Sequence, residues 1–257
     1  MVKTRYDNVK LCDDYLNDTR LFFWEGGIGS EVLATITSGD NGLNGGRSYT
    51  PATGAGNSAF AATQLSLKPS ANYLMDIEVL VSLEDISASQ YFFGFTDLNG
   101  ANIDVEAVCD ATATALSPAA SDYAGILWNP AWTDGRLRHV WRGGSGAAQA
   151  TTIRQATASV DPDQYAADFE IADGRWFTAR VRVNAQGDAE FWVEGTTVKK
   201  DGRGDAEDED VRNYWRVPGA VNPATQFAVN LVVENNAATA KAMYVDYAVL
   251  EFRRAVR

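Results

Sequence analysis

The sequence predicts an all-β fold: an antiparallel two-sheet jelly-roll sandwich in a single domain. Three observations predict it. Apolar and polar residues alternate with period two in stretch after stretch, as they do along a strand with one wet face. Helical periodicity is nearly absent. The segments between the alternating stretches are rich in Gly, Asn, Asp, Ser and Thr, the residues that turns require. Many short strands with long loops and little helix close most readily as two packed sheets.

Taken in chain order, Leu21–Trp24, Val32–Ile36 and Ala59–Leu67 are the first strand candidates. Tyr73–Leu83 (YLMDIEVLVSL) is the clearest. Its odd positions are Tyr73, Met75, Ile77, Val79, Val81 and Leu83, and its even positions include Asp76, Glu78 and Ser82. Tyr91–Phe95, Ala124–Trp128, Leu137–Trp141 and Thr151–Gln155 follow. Phe177–Gly195 (FTARVRVNAQGDAEFWVEG) reads as a hairpin. Phe177, Ala179, Val181 and Val183 share a face with Ala189, Phe191 and Val193, and the other face carries Arg180, Arg182, Glu190, Trp192 and Glu194. Only an odd-with-odd register keeps both apolar sets inside. Such a register sets an Arg opposite Glu190, a cross-strand pair contributing ~0.2–1 kcal/mol. Gly187 is expected to supply the positive φ of the turn. Thr225–Val233 and Met243–Phe252 close the series. Residues 1–10 are expected to form an N-terminal tail or arm, and 11–257 the jelly-roll domain. Asn99–Asp122 and Gly42–Gly56 read as long small-residue loops, and Lys199–Asp210 (KKDGRGDAEDED) as a solvated charged loop.

Composition narrows the classes of function. Hydrophobic residues make up 46% of the 257, enough for a sizeable core, and 22% are charged, as in ordinary folded proteins. The net charge of −12 disfavours a nucleic-acid partner, which would need clustered Lys and Arg, and disfavours an anionic membrane surface. No stretch approaches the ~18 apolar residues of a membrane span, and the N-terminal segment lacks the apolar run of a signal peptide. Cys12 and Cys109 stand far apart and read as free thiols rather than a disulfide framework.

The motifs of catalysis are missing. His139 is the single histidine and reads as a structural strand residue, which leaves no zinc site and no Ser-His-Asp arrangement. No nucleophile elbow, P-loop or dinucleotide fingerprint occurs. Retaining glycosidases need two carboxyl groups about 5–5.5 Å apart. The laminarinase-like families supply theirs from one strand, in a three-carboxylate run. Asp76-Ile77-Glu78 and Asp104-Val105-Glu106 each hold only two. Asp201, Asp205, Glu207, Asp208 and Asp210 are hard oxygen ligands of the kind calcium takes, but without EF-hand spacing. No catalytic, cofactor or metal residue is assigned. Seven Trp and ten Tyr leave carbohydrate binding open, with Trp128, Trp132 and Trp192 as candidate stacking platforms.

Three stretches carry a resemblance. Phe177–Gly195 resembles the V-x-V-(D/N)-x-x-G hairpin of concanavalin A-like jelly rolls, Met243–Leu250 (MYVDYAVL) their closing strand, and Ser89–Asp97 (SQYFFGFTD) an F-x-G-F-T-D strand. Together with Asp13–Leu16 (DDYL) and Ala124–Trp128 (AGILW), the chain resembles jelly-roll virion structural proteins of tailed bacteriophages. That resemblance implies a non-enzymatic capsid decoration protein, made in a host cytoplasm and placed on the virion surface. Its implied partners are the major capsid protein and copies of itself, most simply as a homotrimer. A trimer at a three-fold capsid site would gain from linked attachment. The alternative is a lectin-like protein of virion or fibre that binds glycans. A jelly-roll glycoside hydrolase or lyase ranks third.

Overall fold

The computed structural model describes residues 5–13, 24–28, 32–35, 46–72, 74–98, 103–111, 116–132, 136–143, 149–152, 171–200 and 206–256. Two antiparallel sheets face each other, as the alternation predicts. Sheet A joins β1 (Arg5–Asp13), β3 (Val32–Thr35), β4 (Arg47–Thr50), β6 (Leu74–Leu83), β13 (Trp176–Asn184), β14 (Ala189–Lys200), β15 (Ala206–Val217) and β17 (Met243–Val256). Its order is β15-β14-β13-β6-β17-β4-β3. β1 lies beside the C-terminal part of β17, past a register shift at Asp246. Sheet B joins β2 (Trp24–Ile28), β5 (Ser58–Ala62), β7 (Ser89–Thr96), β10 (Tyr123–Trp128), β11 (Arg138–Arg142), β12 (Gln149–Thr152) and β16 (Ala228–Asn235), in the order β12-β11-β10-β7-β16-β5-β2. A two-residue-by-three pair, β8 (Asp110–Ala111) with β9 (Leu116–Pro118), and two short helices, α1 (Pro69–Asn72) and α2 (Val105–Cys109), complete the described elements. Among the described residues no helix is long and apolar enough to cross a membrane.

The core lies between the sheets. Met75, Ile77, Val79 and Val81 of β6, with Phe177, Val181 and Phe191 of the hairpin, line the A side. Tyr91, Phe93, Phe95, Ile126, Val229 and Leu231 line the B side. Phe93 meets Phe177 edge-on across the gap, with ring centroids 6.2 Å apart. The hairpin register is odd-with-odd, with Val181 opposite Phe191 and Arg182 opposite Glu190. Gly187 takes φ 83°, and its carbonyl accepts the Val221 amide at 3.0 Å.

Several expectations are corrected. The charged stretch at 199–210 is no plain loop: Thr196–Lys200 pairs with Ala206–Asp210 as the end of the β14–β15 hairpin. Gly42–Gly56 contains β4. Within the N-terminal tail or arm expected over residues 1–10, Arg5–Lys10 is strand paired with Glu251–Val256. His139 is structural but not satisfied. It stacks on Phe191 at 5.0 Å, and neither ring nitrogen has a hydrogen-bond partner. Burial among apolar groups pushes its pKa down to about 3, so the ring is neutral. Expected strand residues 21–23, 36 and 153–155, the DDYL residues 14–16, and the candidate calcium ligands Asp201 and Asp205 lie outside the described residues.

The two sheets differ on their outer faces. β13 alternates buried and half-buried residues, as a strand with one wet face does. In β5, β7, β10 and β16 every residue is buried. The central strands of sheet B are therefore covered on both sides. The described part of Asn99–Asp122 is no plain loop but holds α2, β8 and β9, and α2 supplies the second cover by packing on β7 and β16. Outer-face side chains of sheet B tie it down. Ser58 donates to the Ile103 carbonyl at 2.9 Å, and Glu234 accepts the Val105 and Glu106 amides at 2.8 and 3.2 Å. The Tyr123 hydroxyl donates to Cys109 Sγ at 3.3 Å, and Arg142 donates to the Ala120 carbonyl at 2.6 Å.

Candidate functional site

The outer face of sheet A is the half-exposed one, and its side chains come in two rows set by register. Glu78, Arg180, Trp192 and Tyr214 lie side by side across β6, β13, β14 and β15. Asp76, Arg182, Glu190 and Arg216 form the next row. Each position follows from period-two alternation, since the intervening residues fill the core.

Asp76 anchors the rows. Arg180 donates Nε to Oδ1 at 2.8 Å and Nη2 to Oδ2 at 2.6 Å. Arg182 donates Nε and Nη2 to Oδ2 at 3.0 and 2.9 Å. The hydrogen bonds to Asp76 hold the Arg180 guanidinium above its ordinary pKa, so it stays charged. Both guanidiniums also sit against the Trp192 indole, at 5.1 and 5.0 Å from its ring centroid. On the other side Tyr214 lies 5.1 Å away, tilted by 38°. The result is a fixed aromatic pair, one ring wedged by two cations that are themselves locked by a buried carboxylate. Glu78 accepts the Tyr247 hydroxyl at 3.0 Å, and Glu190 accepts the Tyr214 hydroxyl at 3.4 Å. Burial, then the neighbouring Glu78 and Glu190 charges, raise the pKa of Tyr247 and Tyr214, so both stay protonated donors.

The candidates from the sequence sort clearly. Trp192 is on this face. Trp128 and Trp132 are not platforms: each is 3% exposed, they pack edge-on at 6.2 Å, and Arg138 covers Trp132 at 4.3 Å. Asp76 and Glu78 share the Trp192 face, but Asp76 is saturated by arginine. Asp104 and Glu106 sit at the start of α2 rather than on one strand, and Asp104 caps the Ala107 amide. Among the described residues no group of three or more His, Cys, Asp or Glu is placed to hold a metal ion. Tyr214 and Arg216 escaped the sequence reading. Their signal was present in Tyr214-Trp215-Arg216-Val217, which alternates like a strand but follows an acidic block that reads as loop.

No family model matches the chain, and no curated protein matches it in sequence. Solved structures do match in fold. A protein of unknown function from Shewanella oneidensis MR-1 has TM-score 0.58 at 12% identity, over 97% of this chain and 89% of that one. A glycoside hydrolase family 16 endo-glucanase from Bacteroides ovatus has TM-score 0.52 at 11% identity, over 93% and 99%. The Emp47p carbohydrate recognition domain has TM-score 0.51 at 11% identity, over 96% and 95%. The fold is a concanavalin A-like jelly roll. Such folds serve lectins and hydrolases alike, so function has to be read from the site.

Proposed function

We propose that this concanavalin A-like jelly roll is a non-enzymatic carbohydrate-binding protein whose site is the outer face of sheet A. The observation that supports it is the Trp192–Tyr214 pair, held at 5.1 Å between the arginine–Asp76 cluster and the Glu190 carboxylate. A rigid aromatic surface rimmed by acceptors and donors suits a sugar, whose C–H face is apolar and whose edge is hydroxylated. Asp76, saturated by two arginines, is not a carboxylate open to a substrate as a retaining mechanism needs. The virion-decoration role expected above rests on the sequence resemblance alone, and a lectin on a particle is compatible with both. The test is a glycan array probed with the natural chain and with Trp192→Ala, folding being checked by circular dichroism. Saturable signal lost in the variant is the expected result. Signal that survives the substitution, or an array with no signal, refutes the site.

A further inference from the structure

We infer that the Trp192 face selects neutral, hydroxyl-rich saccharides and rejects anionic ones, a refinement that rests on the carbohydrate-binding reading above. Arginines beside an aromatic ring ordinarily suggest a carboxylate or sulfate ligand, because the guanidinium fork clamps such groups with two parallel bonds. Here the forks are occupied. All four short contacts, between 2.6 and 3.0 Å, run from Arg180 and Arg182 to Asp76. Arg182 Nη1 turns to Glu190 Oε2 at 3.4 Å. The Asp76 side chain is only 6% exposed, so an incoming anion would have to strip arginines from a buried carboxylate.

The acceptors on the same face are under-used. Among the described residues Glu190 is held by contacts of 3.4 Å from Arg182 and Tyr214 and 4.0 Å from Arg216, at or past the edge of a good hydrogen bond. Glu78 takes one short bond from Tyr247, and its other oxygen lies 3.8 Å from Arg180. Their side chains are 24% and 33% exposed; Glu190 lies beside the aromatic pair, and Glu78 lies beyond Arg180. A ligand that fits must therefore bring donors, and sugar hydroxyls are donors without charge. An acidic sugar on the rings would set its charge beside Glu190, on a chain already at −12.

The experiment is calorimetric titration of the full chain with two kinds of tetrasaccharide: neutral gluco-, manno- and galacto-oligomers, and tetragalacturonate. At least one neutral probe is expected to bind, with Kd raised about tenfold or more in Trp192→Ala and several-fold in Glu190→Ala. Trp192→Phe, which keeps a ring, is expected to retain binding and so guards against misfolding of the alanine variant. Affinity for the neutral probe is expected to change less than about twofold from about 50 to about 500 mM salt, because no ion pair is made. Tetragalacturonate binding more tightly than every neutral probe, in a Trp192-dependent manner, overturns the selectivity and leaves the site standing. Binding of no probe, or binding indifferent to Trp192, overturns both.

Discussion

Replacing His139 by Leu is expected to make the protein more resistant to acid. The ring is 1% exposed, stacks on Phe191, and offers two nitrogens with no partner. Its folded pKa is about 3, against 6.5 in the unfolded chain. A base whose pKa falls on folding takes up its proton first in the unfolded state. Its contribution is complete above about pH 6.5 and is lost as pH falls toward 3, at about 1.4 kcal/mol per pH unit. Between pH 7 and pH 5 the loss is about 2 kcal/mol. Leu fills a similar volume, removes two unsatisfied buried atoms that cost about 1–3 kcal/mol, and gives up a ring contact of about 0.5–1.5 kcal/mol. The variant is thus near parity or slightly more stable at pH 7, and about 2 kcal/mol further ahead at pH 5. For a chain of this length that is a widening of the Tm gap by about 4–8 °C. Glu234 also titrates in this range, but it is common to both proteins and cancels in their difference. Thermal unfolding followed by circular dichroism at the two pH values measures the gap. A gap independent of pH refutes the reasoning, because it would mean that His139 is already protonated in the fold or is solvated.

The remaining predictions concern the cover, the turn and the anchor. Glu234, buried at the start of α2, has its pKa raised from 4.5 to about 7, chiefly by desolvation and then by Asp104; its contribution is present below pH 4.5 and is lost as pH rises through 7. Glu234→Gln, which still accepts the two amides, should lack the loss of about 2–3 kcal/mol that the natural chain undergoes from pH 5 to pH 8, read from urea midpoints. Gly187→Ala should destabilise by about 2–4 kcal/mol, because φ is 83° and the added Cβ would meet the Val221 carbonyl oxygen; a change below 1 kcal/mol in the same titration would show that the turn relaxes. Asp76→Ala should cost about 2–3 kcal/mol, below the full range for a buried pair because Arg180 and Arg182 are 33% and 30% exposed, and should weaken glycan binding by loosening Trp192; unchanged affinity would separate the anchor from the site.

The parts of the molecule legible in the sequence are those whose cause is local. The register of β13 on β14 follows from parity, since any odd–even pairing would put Arg182 on the same face as Phe191, burying the arginine or exposing the ring. The same parity sets Arg180, Arg182, Glu190 and Trp192 on one outward face before any neighbour is known. Asp76 and Glu78 were visible as outward residues of β6, but their delivery to the arginines depends on β6 lying next to β13, nearly a hundred residues away in the chain. The cover over sheet B was illegible for the same reason. Ile103 reaching Ser58, and Val105 reaching Glu234, are contacts no short window contains. One local trace of it does exist. Tyr91-Phe92-Phe93 and Val232-Val233 are apolar at adjacent positions, so both faces of β7 and β16 need burial, whereas β13 keeps its alternation. The two patterns divide the labour of the sandwich. The central strands of sheet B, β5, β7, β10 and β16, are buried on both faces, by the core on one side and with α2 packed on β7 and β16 on the other. Among the described residues sheet A keeps a polar, aromatic outer face in reach of water, which is why a ligand is expected there, at Trp192.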